Sequence, residues 1–79
     1  MQVEVRVFGG LEGYLPGVKF GQPVKVELKE GATAGELADV LGIPRGEIFT
    51  LLVNGMHRNF DWQLKDGDRV SLFPAVGGG

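Results

Sequence analysis

The residues with the most distinctive chemical potential close the sequence. Apolar Phe73-Pro74-Ala75-Val76 runs into Gly77-Gly78-Gly79. A terminal carboxylate is a poor electrophile, because its leaving group would be oxide. ATP makes it reactive by converting it to an acyl-adenylate. That step needs a nucleotide site, and the sequence holds neither a G-x-x-x-x-G-K-[ST] loop nor a G-x-G-x-x-G after a strand. Activation is therefore expected from a partner. Glycine suits a tail that enters a narrow site, since it has no Cβ and takes whatever φ/ψ the site imposes. From Phe73, the following residues reach roughly 20 Å when extended. Fixing each residue costs about 1–2 kcal/mol of backbone entropy, so docking energy must come from the folded body.

Other chemistry-bearing residues are sparse. Asp66 and Asp68 resemble a carboxylate pair, but their Lys65-Asp66-Gly67-Asp68 setting reads as a tight turn. His57 stands alone, with no carboxylates clustered near it, and reads as an exposed hairpin residue. The absence of cysteine leaves no disulfide, thiolate nucleophile or Cys-type metal site. No bound metal and no bound cofactor are expected.

The elements that must position the tail are legible from periodicity. Val3, Val5 and Val7 alternate with Gln2, Glu4 and Arg6, as in a half-buried strand. Val24, Val26 and Leu28 alternate with Lys25, Glu27 and Lys29 in a second. Between them, Leu11, Tyr14 and Leu15 are spaced like one helical turn, ended by Pro16-Gly17. Thr33 and Glu36 form a T-x-x-E capping box, which predicts a helix from Thr33 to a left-handed cap at Gly42. Leu37, Val40 and Leu41 are expected to share its apolar face. A β-rich stretch from Ile48 ends at Asn54-Gly55, a type I′ turn signal. A short strand near Met56-His57 and a last strand with Val70 and Leu72 on one side complete the order. Runs of strands with one helix predict an α+β domain, the helix on one sheet face.

Composition bounds the rest. Seventy-nine residues make one domain. A chain this short buries roughly 60% of its unfolded surface, and its core supplies about 3–5 kcal/mol. A deep enzyme pocket is not expected. The net charge of −2 and the mixing of signs show no basic stripe for nucleic acid. No apolar run approaches ~20 residues, so no membrane partner is expected, and the N-terminal stretch lacks a signal peptide's apolar block. The expected location is the cytoplasm. Lys19, Lys25, Lys29 and Lys65 read as solvated, and Phe49, Phe60 and Trp62 as core or core edge.

Two phenylalanines fall out of phase with their strands. If Val3, Val5 and Val7 face the core, Phe8 points away from it. If Val70 and Leu72 face the core, so does Phe73 point away. With the first and last strands as parallel neighbours, both rings land on the outer sheet face beside the tail. Exposed apolar and aromatic patches mark partner sites.

Three stretches carry a family likeness: "VRVFGGLEGYLPG", "LLVNG", and "LKDGDRVSLFPAVGGG". With the capped helix at Thr33, they resemble the β-grasp sulfur-carrier family, in particular the small subunit of molybdopterin synthase. The likeness covers nearly the whole chain. It implies an α+β, ubiquitin-like β-grasp: a mixed sheet of four to five strands with one main helix on one face, over residues 1–76, followed by a tail at 77–79. It also implies two partners. An E1-like adenylating enzyme would use ATP on the carboxylate of Gly79, and a sulfur donor would then make a thiocarboxylate. A large catalytic subunit of the molybdopterin synthase type would accept the tail of Gly77, Gly78 and Gly79 and pass sulfur to a pterin. Phe8 and Phe73 match positions that contact partners in the family; Pro74 and Val76 extend that surface. His57 falls near a third such position, usually apolar. Ala75 replaces the second proline of the usual F-P-P, and Gly77 adds a third glycine. Two alternatives share the adenylate step: a thiamine-pathway sulfur carrier, and a ubiquitin-like modifier joined through Gly79 to lysines. A plain interaction module with no chemistry at the tail is the remaining alternative.

Overall fold

The structure is a computed structural model that describes residues 1–75. Val76, Gly77, Gly78 and Gly79, and with them the expected boundary between domain and tail, lie outside the described residues.

Five strands form one mixed sheet, in the order β2-β1-β5-β3-β4. β1 (Gln2–Val7) and β2 (Val24–Glu27) are antiparallel, with Val3 opposite Val26. β1 runs parallel to β5 (Arg69–Phe73), with Val5 beside Val70 and Val7 beside Leu72. β5 is antiparallel to β3 (Thr50–Val53), and β3 to the two-residue β4 (Met56–His57). The β3–β4 turn is the expected one. Asn54 and Gly55 both have positive φ, 52° and 82°, as a type I′ turn demands.

The helix α1 spans Ala34–Leu41. Thr33 accepts from the Glu36 amide at 3.2 Å, while the Thr33 amide donates to Glu36 Oε1 at 3.0 Å. Gly42 closes the helix in the left-handed conformation. Its buried face, however, is Ala34, Leu37 and Ala38, with Leu41 partly buried; Val40 is 62% exposed. At 100° per residue, positions 34, 38 and 41 all lie on one side of Leu37 and Val40 on the other. The two small alanines, not Val40, let the helix approach the sheet.

The core fills the space between α1 and the inner sheet face. Val3, Val5, Val7, Val70, Leu72, Leu51 and Val53 come from the strands, Leu37 and Ala38 from the helix. Leu11, Ile43, Ile48 and Leu64 close its rim from the connections. Leu11 lies in a 3-10 turn (Leu11–Tyr14), whose Tyr14 is exposed. A second 3-10 turn, Arg45–Glu47, follows Pro44 and has no signal in the periodicity. Phe60 packs at the core edge as expected, but Phe49 is 75% exposed and Trp62 40% exposed. Trp62 is covered instead by the Arg58 guanidinium, 3.9 Å above its ring, a cation–π contact.

Candidate functional site

The parallel β1–β5 pairing brings together the two aromatic residues that alternation sets apart from the core. The Phe8 amide donates to Leu72 O at 3.1 Å, so Phe8 extends the ladder just past β1. Val7 and Leu72 point into the core, and their neighbours Phe8 and Phe73 take the outer face. The two rings stack, with centroids 4.5 Å apart and planes 7° from parallel. Both are half-buried.

A third ring joins them. Phe20 stands edge-on to Phe8 at 5.2 Å and is 64% exposed. The loop carrying it is tied down by the Gly21 amide, which donates to Val7 O at 2.9 Å. The sequence reading missed Phe20. It lies in a Gly- and Pro-bearing loop with no period to set a face, and the only signal was a large aromatic where turn chemistry asks for none. Pro74 is half-buried at the edge of this cluster, and Ala75 is exposed. Gly77, Gly78, Gly79 and Val76 lie outside the described residues, so the geometry defines the base from which they continue.

The remaining candidates separate from this surface. Asp66 and Asp68 serve the turn: Asp66 accepts from the Gln2 amide at 2.8 Å, and Asp68 accepts from the Lys65 amide at 2.8 Å and from Asn54 Nδ2 at 2.9 Å. These bonds join the turn to β1 and to the β3–β4 hairpin. His57 is exposed on β4, paired with Leu52 and facing outward with it. Among the described residues, no three His, Cys, Asp or Glu side chains group as metal ligands. Nor is any helix among them long and apolar enough to cross a membrane. The shifted carboxyls sit on the helix side of the molecule. The Thr33 amide and then Lys29 hold Glu36 below the usual carboxylate range; the bidentate Arg45 fork, 2.9 Å at its shorter arm, does the same to Asp39. Both groups are exposed and serve the helix, not the aromatic surface.

Such a surface is suited to binding: it offers two stacked apolar rings with a third edge-on beside them. Comparison with known proteins gives the chain's family. The model of the Mut7-C ubiquitin family matches residues 1–77. No curated protein matches the chain. Among solved structures, the putative molybdopterin converting factor subunit 1 from Pyrococcus furiosus is 30% identical, with 96% of this chain and 99% of that one covered and a TM-score of 0.74. A chain in the protein–protein complex of subunits 1 and 2 of the molybdopterin-converting factor from Helicobacter pylori is 28% identical over the whole of both chains, at a TM-score of 0.63. SAMP1 from Haloferax volcanii is 23% identical over the whole of both chains, at a TM-score of 0.75, and shares the fold. With its β-grasp topology and a family match from the first residue into the tail, the chain belongs to the Mut7-C ubiquitin family, among the β-grasp sulfur-carrier proteins.

Proposed function

We propose that this protein is a sulfur carrier for molybdopterin (molybdenum or tungsten cofactor) synthesis, working through a thiocarboxylate on Gly79. The observation that carries the reading is the stacked, half-buried Phe8–Phe73 pair on the outer face at the base of the glycine tail, with Phe20 exposed beside it. Three glycines ordered in a partner's site lose several kcal/mol of backbone entropy, at about 1–2 kcal/mol each. Apolar area on the body must offset that loss, and the aromatic cluster is placed to do so.

The chemistry belongs to the partners. In an E1-like enzyme, a carboxylate oxygen of Gly79 attacks the α-phosphorus of ATP and pyrophosphate leaves. Hydrosulfide, or a persulfide reduced afterwards by a thiol, then attacks the acyl carbon. The C–S bond forms as the C–O bond to AMP breaks, and AMP leaves with the oxygen. The carrier contributes reach and docking: its tail delivers the sulfur into a large catalytic subunit, where a cyclic pterin accepts it. The matching chain from Helicobacter pylori, in a complex of subunits 1 and 2, supports a partner of that kind. On this reading the protein works in the cytoplasm, where ATP and reduced sulfur are available.

The test is reconstituted transfer. Thiocarboxylated protein mixed with a large subunit of molybdopterin synthase and the cyclic pterin precursor should form the dithiolene product, and protein lacking Gly79 should form none. Transfer to the thiamine thiazole precursor instead, or isopeptide adducts on lysines without thiocarboxylate, would replace this reading with one of the two alternatives.

A further inference from the structure

The tail's base is seated on the loop after β1 by a contact that only glycine permits there. Gly9 has φ +67°, and a Cβ placed on it would lie 2.6 Å from Pro74 Cγ and 2.8 Å from Pro74 Cδ. The Cγ–Cδ edge of the proline ring therefore lies against Gly9, in the space a side chain would occupy. Phe8, immediately before Gly9, stacks on Phe73, immediately before Pro74. The two chain segments thus meet twice in succession, ring on ring and then ring on bare backbone. Pro74 in turn has a fixed φ and no amide hydrogen. Seating its ring therefore fixes the position and φ of the residue from which the chain continues to Ala75.

We propose that Gly9 is a positioning residue for the tail: by leaving room for the Pro74 ring, it fixes where the chain leaves the body at Pro74-Ala75, the base from which the tail continues. This inference rests on the sulfur-carrier reading above. Its physical logic is that of pre-organisation. A tail whose base is held in place needs less ordering on binding, and a misplacement of about 1 Å at a reacting atom costs as much as a hundredfold in rate. A side chain at Gly9 would push the Pro74 ring aside, at the edge of the aromatic cluster, while keeping all three aromatic side chains. Reaction should suffer in the turnover step, with the docking step intact.

Positive φ strains any substitution at Gly9, so the control must carry the same strain without the contact. Gly17 provides it, with φ +78° and nothing within 4 Å of its added Cβ. The experiment measures initial rates of thiocarboxylate formation with ATP, sulfide and the activating enzyme of the same organism. It uses the wild type and the variants Gly9→Ala, Gly17→Ala, Pro74→Ala and Gly9→Ala/Pro74→Ala, each checked for folding by its amide NMR spectrum. Gly9→Ala should lower kcat about tenfold or more at unchanged KM, and Gly17→Ala less than about twofold. Removing the ring removes the clash, so the double variant should recover toward the level of Pro74→Ala alone. A Gly9→Ala variant indistinguishable from Gly17→Ala overturns the proposal. So does a raised KM at unchanged kcat, which would assign Gly9 to the aromatic patch instead. If Gly9→Ala fails to fold, the double variant decides: activity below that of Pro74→Ala alone shows that the ring was not the reason for the glycine. A wild type that forms no thiocarboxylate fails the sulfur-carrier reading itself, independently of Gly9.

Discussion

The two faces of one sheet treat their apolar residues in opposite ways. Inside, Val5, Val7 and Leu72 are at most 1% exposed, sealed by α1 and its alanines. Outside, and one residue further along the same strands, Phe8 and Phe73 are half-buried and stacked on each other, with Phe20 standing 64% exposed beside Phe8. Alternation alone dictates this division, because a strand cannot send neighbouring side chains to the same face. The inner face gains its stability within the chain. The outer cluster leaves much of its apolar area in water, and that area becomes useful when a partner covers it. Stability and recognition are thus carried by adjacent residues, which makes them separable by mutation.

The largest effect should come from the inner face. Leu37 is fully buried beneath the sheet, so Leu37→Ala should cost about 2–5 kcal/mol. In a domain of this size each kcal/mol lowers the melting temperature by roughly 4–8 °C, and thermal denaturation will read it. Loss of partner binding in step with unfolding, and no more, is expected there. Phe73→Ala should reverse the pattern. It removes a stacking contact worth about 0.5–1.5 kcal/mol, so the melt should shift modestly. Affinity for the large subunit, measured by calorimetry, should fall by about 2 kcal/mol or more, the scale of a buried aromatic anchor. Equal losses in both measurements would erase the distinction between the faces.

Smaller effects sharpen the comparison from the helix side. Thr33→Ala deletes one half of the capping box and should cost about 1 kcal/mol, visible in urea unfolding and silent in partner affinity. The acid response should be smaller still. Glu36, held down first by the Thr33 amide, and Asp39, held down first by Arg45, both have folded-state pKa values below their unfolded ones. Their contribution is therefore complete above the ordinary carboxylate range, and is lost as pH falls through the lowered values. Melts at pH 7 and pH 3 should differ less in Asp39→Asn than in the wild type. An unchanged difference would dissociate that carboxyl from the helix's acid sensitivity.

What was legible in the sequence follows the same division. Periods of two marked β1 and β5, and with them the outward turn of Phe8 and Phe73. The capping box and the Asn54-Gly55 turn were readable because local hydrogen bonding and positive φ restrict residue type. Val40 misled because spacing of three and four fits two neighbouring helix faces, and the two alanines that decided between them carry little hydrophobic signal. Phe20 and the 3-10 turn at Arg45–Glu47 belong to connections, where no period applies. Phe49 was assigned by size alone, and the fold leaves it in solvent. The Gly9–Pro74 contact joins positions far apart in the chain, and nothing local encodes a missing Cβ's distant neighbour.

The central claim is that the carboxylate of Gly79 is the reactive group and that the body exists to deliver it. Intact mass spectrometry tests this most directly. The protein and a variant with one residue appended after Gly79 are each incubated with ATP, sulfide and the activating enzyme. The wild type should gain the mass of one oxygen replaced by sulfur, while the extended variant, with the same melting temperature, should remain unmodified. Sulfur on both proteins, or on neither, would contradict the account.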